Sequence, residues 1–181
     1  MPVELIFDAG VMDIFVIRTA GNLCGANEIG SIEYGLAHVK TPVFVMLGHT
    51  QCGAVTAATH VAEGMGHPLE RNIQPLVEQI LPAVKKAKEN RPDMQGESIV
   101  PLATEENMWR GIERLLRESP TVRGLVKQGK TKVLAAVYDV GTGKVHWLPE
   151  RRVDAILEKV EASASEATEG SANHAEGSRE P

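Results

Sequence analysis

A continuous apolar run at residues 43–47 is the feature that most limits how this chain can fold. Such a run predicts a strand that is buried on both faces, as in parallel sheets covered by helices. The run leads directly into Gly48-His49-Thr50-Gln51-Cys52-Gly53-Ala54, and the small residues after it predict a helix over residues 52–62. The sequence therefore predicts a strand, a turn and a helix in immediate succession.

The rest of the sequence alternates between strand and helix patterns in the same way. This alternation predicts an α/β fold with a mostly parallel sheet and flanking helices. Ligands of such sheets bind beyond the carboxyl ends of the strands, and His49 lies at such an end. Further strands are predicted at residues 14–17, 133–137 and 145–148, and further helices near 28–40, 73–84, 108–118, 120–127 and 153–160.

Length and composition set the broad class. A chain of 181 residues suits one domain, which we place at residues 1–161. Residues 162–181 carry no large apolar side chain, so we expect a disordered low-complexity tail. The net charge of −5 gives no support to nucleic-acid binding. Glu4 and Asp8 interrupt the first apolar run, and no apolar stretch is long enough to span a membrane, so we expect a cytoplasmic protein.

His49 and Cys52 are candidate metal ligands. Imidazole nitrogen and thiolate sulfur are preferred ligands of zinc, and the turn precedes a helix whose amino terminus stabilises a thiolate. From spacing alone, a structural role, with a buried imidazole and a small buried thiol, is more common than a metal site. Cys24 also follows a predicted strand and a turn, so it is a possible third ligand, although a buried structural role is more common for such a residue.

Several segments, taken in order, resemble the β-class carbonic anhydrases over roughly residues 1–160. Each segment is modest by itself, but the ordered set is highly specific. The matching segments are Glu4-Leu5-Ile6-Phe7-Asp8, Phe15-Val16-Ile17-Arg18-Thr19-Ala20-Gly21-Asn22, Gly30-Ser31-Ile32-Glu33-Tyr34, Gly48-His49-Thr50-Gln51-Cys52-Gly53 and Ala136-Val137-Tyr138-Asp139-Val140-Gly141-Thr142-Gly143-Lys144-Val145.

The resemblance implies a fold, a metal and a reaction. It implies a Rossmann-like, mostly parallel sheet with an antiparallel edge strand at residues 145–148. It implies that His49 and Cys52 are two of three zinc ligands, and that the chain forms a homodimer or a multiple of dimers. The implied reaction is the reversible hydration of carbon dioxide to bicarbonate and a proton. Neither a nucleic acid nor a membrane is implied as a partner.

The chain departs from the family pattern at its amino end. The family carries Cys-x-Asp-Ser-Arg just before the segment that starts here at Pro2. That motif holds the third zinc ligand and the Asp–Arg pair that orients the zinc-bound water, so we assign no catalytic residue in this sequence. The strand before the motif lies centrally in the family, between the strands that correspond to residues 15–18 and 43–47. We therefore expect this first central strand to be missing.

The family resemblance and the absent Cys-x-Asp-Ser-Arg motif leave three functional hypotheses. The first is a carbonic anhydrase whose recorded sequence begins too late or is truncated. The second is an inactive or non-enzymatic relative that lacks a proper zinc site. The third is a hydrolase of a carbon dioxide analogue, such as carbonyl sulfide or carbon disulfide. If the short chain binds zinc, Cys24 or a solvent molecule replaces the missing ligand.

Overall fold

A computed structural model describes the backbone of residues 2–176 and the side chains of residues 2–164. Helices and strands alternate along most of the chain, as the sequence predicts. The helices are α1 (Val3–Ile6), α2 (Ala26–Ala37), α3 (Gly53–Ala62), α4 (Gln74–Asn90), α5 (Val100–Glu118), α6 (Pro120–Lys127) and α7 (Arg151–Glu176). The strands are β1 (Val43–His49), β2 (Lys132–Tyr138) and β3 (Val145–Trp147).

The sheet of the described residues has three strands in the order β1-β2-β3. The pair β1–β2 is parallel, with His49 opposite Tyr138, and β3 pairs with β2 in the antiparallel direction. The predicted α/β class, with a mostly parallel sheet and an antiparallel edge strand, is therefore confirmed. The order also makes β1 an edge strand, since it pairs with β2 on one side only.

Helix α5 packs closely against β1 and fixes the position of the carboxyl end of that strand. A Cβ atom added at Gly48 would collide with the Sδ atom of Met108 and lie 3.2 Å from Thr104 Cγ2. One turn further along α5, a Cβ at Gly111 would lie 2.9 Å from Met46 Cε. Glycine on each element therefore lets the two backbones approach, and this contact places His49 directly after the packed residue.

Two apolar clusters stabilise the fold. The first joins the sheet to α2, α5, α6 and α7, and it includes Cys24. The second lies among α3, α4 and the start of α5, and it includes Cys52. Because α5 contributes to both clusters, it holds the sheet and the α3–α4 pair in one body.

The strand predicted at residues 14–17 is absent, so that prediction is wrong. Among the described residues, no backbone hydrogen bond links residues 14–18 to any other backbone group. A strand needs a neighbouring backbone to pair with, and this segment has none. The nearby apolar side chains are correspondingly exposed, with Val11 at 95% and Met12 at 94% of full exposure.

The burial of β1 also differs from the prediction. A strand buried on both faces was expected, yet only Met46 and Gly48 are fully buried and Val43 is 44% exposed. The apolar run has the composition of a central strand, but it occupies an edge.

Helix α7 continues to Glu176, through most of the segment for which we expect disorder. Residues 177–181 lie outside the described residues, and the disorder expected over 162–181 stays a prediction. Within the part of the chain that the structure describes, no helix combines the length and apolarity needed to cross a membrane.

The Gly48 contact generates a test of the fold. We expect Gly48→Ala to lower the free energy of unfolding by about 1–3 kcal/mol, because Met108 is fully buried and has little room to retreat. The matched control is Gly30→Ala on α2, where an added Cβ meets no atom within 4 Å. That substitution should raise stability by about 0.5–1 kcal/mol. Urea denaturation measures both, and equal effects of the two substitutions would contradict the packing argument.

Candidate metal-binding turn

His49 is the last residue of β1 and lies half-buried at the carboxyl end of the sheet. Its Nδ1 atom is 2.8 Å from the backbone oxygen of Thr50. Since a carbonyl oxygen only accepts hydrogen bonds, Nδ1 is the donor, and in the neutral imidazole this leaves the lone pair on Nε2. This is the arrangement that a metal-ligating histidine uses, with one nitrogen held by a backbone carbonyl and the other available to the metal.

Cys52 lies three residues later, at the N-cap position of α3. The residue between Thr50 and Cys52, Gln51, adopts a left-handed conformation with φ of 57° and turns the chain into the helix. The Cys52 side chain makes no capping hydrogen bond and is 6% exposed. Its sulfur is therefore not used to cap the helix, and a cysteine sulfur is a preferred ligand of zinc.

Cys24 lies apart from this turn. It follows the Ala20–Asn22 helical turn, is 5% exposed and belongs to the other apolar cluster. Burial raises the pKa of its thiol to about 11, although Arg114 opposes the shift, so Cys24 stays protonated at neutral pH. No three His, Cys, Asp or Glu side chains among the described residues are placed to hold a metal ion together. The structure thus does not bring Cys24 together with His49 and Cys52.

A cavity of about 610 Å³ opens beside β1. Residues 13–24 form one wall, residues 43–47 of β1 form another, and His49 also lines it. Among the described residues, no backbone hydrogen bond crosses this space between the two segments. The cavity therefore separates β1 from residues 13–24, and the backbone groups of the two segments are not paired across it.

Sequence reasoning missed the side chains that hold the turn in place. The backbone N–H of Thr50 donates to Tyr138 O at 3.0 Å, and its hydroxyl donates to Asp139 Oδ1 at 3.3 Å. The same hydroxyl accepts from the Val140 N–H at 2.9 Å. These contacts join the end of β1 to the end of β2. The available signal was an aspartate directly after a predicted strand and before the glycine-rich turn at residues 141–143.

Asp139 is itself held by several donors. The Thr142 hydroxyl donates to Oδ2 at 2.7 Å, and the Gly141 N–H donates to Oδ1 at 2.9 Å. These hydrogen bonds, that of Thr142 first, hold the pKa of Asp139 below its usual range. Asp139 is therefore an ionised acceptor that organises the turn after β2.

The described residues form only part of a zinc site. A catalytic zinc site uses three protein ligands, and a structural one uses four. The turn supplies an imidazole with a free Nε2 and a thiol at a helix amino terminus, which fit zinc in type and position. A third protein ligand is not placed with them among the described residues, so the present set does not complete a catalytic zinc site.

The fold and the turn define a Rossmann-like α/β protein with a candidate metal-binding turn at the carboxyl end of its sheet. Residues 1–145 match the family model described as carbonic anhydrase. The chain therefore belongs to the carbonic anhydrase family.

Curated relatives agree with this assignment. The chain is 30% identical over 141 residues to carbonic anhydrase 2 of Mycobacterium tuberculosis strain H37Rv, covering 78% of this chain and 65% of that protein. It is 30% identical over 152 residues to a carbonic anhydrase of Synechococcus elongatus, covering 78% of this chain and 53% of that protein. The matched region thus spans about half to two thirds of the length of these relatives.

Solved structures agree at the level of the fold. A tetrameric β-carbonic anhydrase from Sordaria macrospora superposes with a TM-score of 0.71 at 23% identity, covering 81% of this chain and 74% of that one. The β-carbonic anhydrase of Coccomyxa, solved with acetazolamide, also gives a TM-score of 0.71 at 23% identity, with 82% and 66% covered. These similarities support the β-class fold.

Proposed function

We propose that this chain takes part in the zinc-dependent, reversible hydration of carbon dioxide to bicarbonate, with His49 and Cys52 as two of the zinc ligands. One observation carries the proposal. In a carbonic anhydrase family chain, His49 directs a free Nε2 from the carboxyl end of β1, three residues before a cysteine at the start of α3. Zinc, when bound, is the Lewis acid that activates water at neutral pH.

The third ligand, in this proposal, comes from outside the described residues. The family resemblance assigns it to a Cys-x-Asp-Ser-Arg segment that precedes residue 1. The cavity beside β1 supports this assignment, because an extended segment there would pair with the free edge of β1. If that segment runs parallel to β1, its carboxyl end lies at the same edge of the sheet as His49.

Because the described residues supply only two of the zinc ligands, we expect the chain to catalyse little hydration by itself. With two protein ligands, zinc affinity and water activation should both fall, so in this proposal the isolated 181-residue chain hydrates carbon dioxide slowly at most. No contact in the structure favours carbonyl sulfide or carbon disulfide over carbon dioxide as substrate. Turnover measured on all three would decide between these substrates.

Zinc binding and carbon dioxide hydration test the proposal together. We expect a version of the chain extended upstream by its in-frame coding sequence to bind zinc more tightly than the 181-residue chain and to hydrate carbon dioxide faster. In either version, His49→Ala and Cys52→Ala should each lower zinc affinity by at least about tenfold, since even loss of an outer-shell partner costs that much. Chelator competition and stopped-flow hydration assays measure these quantities.

Two variants serve as matched controls for the zinc measurement. Cys24→Ala removes the other cysteine and His67→Ala removes an exposed loop histidine, and both should leave zinc affinity unchanged. Tight zinc binding and fast hydration by the 181-residue chain would contradict the need for an outside ligand. Unchanged zinc affinity in His49→Ala and Cys52→Ala would contradict the metal role itself.

We also propose, with the family resemblance, that the chain forms a homodimer or a multiple of dimers in the cytoplasm. The amino-terminal segment supports an interface, because Leu5 is 80% exposed and Val11 and Met12 are almost fully exposed. Large apolar side chains that are exposed close together in sequence are typical of interaction surfaces.

Sedimentation of the purified chain tests this assembly. We expect a dimer or larger species, and the double substitution Val11→Ser with Met12→Ser should shift it toward monomer because it removes apolar area from the surface. The control is Val39→Ser with Met65→Ser, which removes two exposed apolar side chains outside the amino-terminal segment. A monomeric parent chain, or equal shifts for both pairs, would contradict this interface.

A further inference from the structure

We propose that Asp139 is a positioning residue for His49 and acts on it through Thr50. Asp139 contacts the hydroxyl of Thr50, and the carbonyl of Thr50 receives the Nδ1 proton of His49. Asp139 thereby selects the imidazole tautomer that keeps the lone pair on Nε2. The use of that lone pair for zinc rests on the proposed function, whereas the tautomer itself does not.

The first step is the anchoring of Thr50 at three points. Its N–H reaches Tyr138 O, its hydroxyl donates to Asp139 Oδ1, and the Val140 N–H donates to that hydroxyl. All three partners lie on β2 or directly after it. The peptide group after Thr50 is further directed by the left-handed conformation of Gln51. The Thr50 carbonyl is therefore fixed relative to the end of the sheet.

The second step is the rigidity of Asp139. Its carboxylate accepts from Gly141 N–H and the Thr142 hydroxyl, and its own backbone N–H and C=O are bonded to Lys144 O and the Gly143 N–H, both at 2.8 Å. These four hydrogen bonds restrict the movement of the Asp139 backbone and side chain. The Asp139 carboxylate is therefore a fixed acceptor for the Thr50 hydroxyl.

The third step is the effect on His49. A neutral imidazole has two tautomers, and the hydrogen bond made by one ring nitrogen determines which is populated. The 2.8 Å contact from Nδ1 to Thr50 O favours the tautomer protonated on Nδ1. If the Thr50 hydroxyl loses its Asp139 acceptor, one of the three anchors is gone. The Thr50 carbonyl then has more freedom to turn, and the tautomer protonated on Nε2 gains population.

Long-range ¹H–¹⁵N correlation NMR of the metal-free chain, at a pH where histidines are neutral, measures the tautomer of His49 directly. We expect Asp139→Ala and Thr50→Val to lower the ratio of the Nδ1-protonated to the Nε2-protonated form by about three- to tenfold, the range set by the loss of one hydrogen bond. Asp139→Asn and Thr50→Ser retain the Oδ1 acceptor and the hydroxyl, so both should restore the parent ratio.

The matched control is Thr142→Ala, which removes a donor to Oδ2 but leaves the Oδ1 contact to Thr50 in place. It should leave the tautomer ratio unchanged even if stability falls, because the Gly141 N–H and the two backbone hydrogen bonds of Asp139 still hold that residue. If either Asp139→Ala or Thr50→Val fails to fold, the tautomer ratio is measured in the other variant. An unchanged ratio in folded Asp139→Ala or Thr50→Val overturns the proposal, as does an equal change in Thr142→Ala. Because no metal is present, neither result depends on zinc binding or on hydration activity.

Discussion

The one-sided pairing of β1 is the constraint on which the rest of the structure depends. Its sequence is that of a central strand, but its backbone is bonded to β2 alone among the described strands. The other side opens onto a cavity of about 610 Å³. Residues 14–17 line that cavity without strand pairing, and Val11 and Met12 before them remain exposed.

The carboxyl end of β1 also carries the candidate metal-binding turn. Close packing of Gly48 on α5 fixes where β1 ends, and the hydrogen bonds of Thr50 to the end of β2 fix the peptide that follows. His49 and Cys52 are therefore held in place although β1 is paired on one side only. The turn is complete as a local structure and incomplete as a zinc site, because two ligands do not make a catalytic zinc centre.

Local patterns predicted much of this arrangement from sequence. The apolar run into the His49–Cys52 turn placed a histidine at a strand end and a cysteine at a helix start, and both positions are confirmed. Helical spacing also located α2, α4, the second half of α5 and the first turns of α7, and α6 was predicted as well. The start of α5, at residues 100–107, was not predicted. The predicted features depend on residues close together in sequence, which is why periodicity predicts them.

The features that failed or were missed depend on distant partners. An apolar run at residues 14–17 predicts a strand, but no sequence pattern within the run indicates whether a neighbouring strand is present to pair with it. The burial of β1 was overestimated for the same reason. The hydrogen bond between Thr50 and Asp139 joins residues 89 positions apart, so local sequence spacing could not predict it. Cys24 and Cys52 are both buried, and only the three-dimensional structure assigns them to different clusters.

We propose above all that His49 and Cys52 are the two zinc ligands that this chain supplies. X-ray absorption spectroscopy of the zinc-loaded 181-residue chain tests it most directly, because sulfur and lighter ligands are distinguished by distance. We expect one sulfur at about 2.3 Å and one histidine nitrogen at about 2.0 Å, with oxygen in the remaining positions. A zinc ion with no sulfur neighbour, or with two, would contradict it.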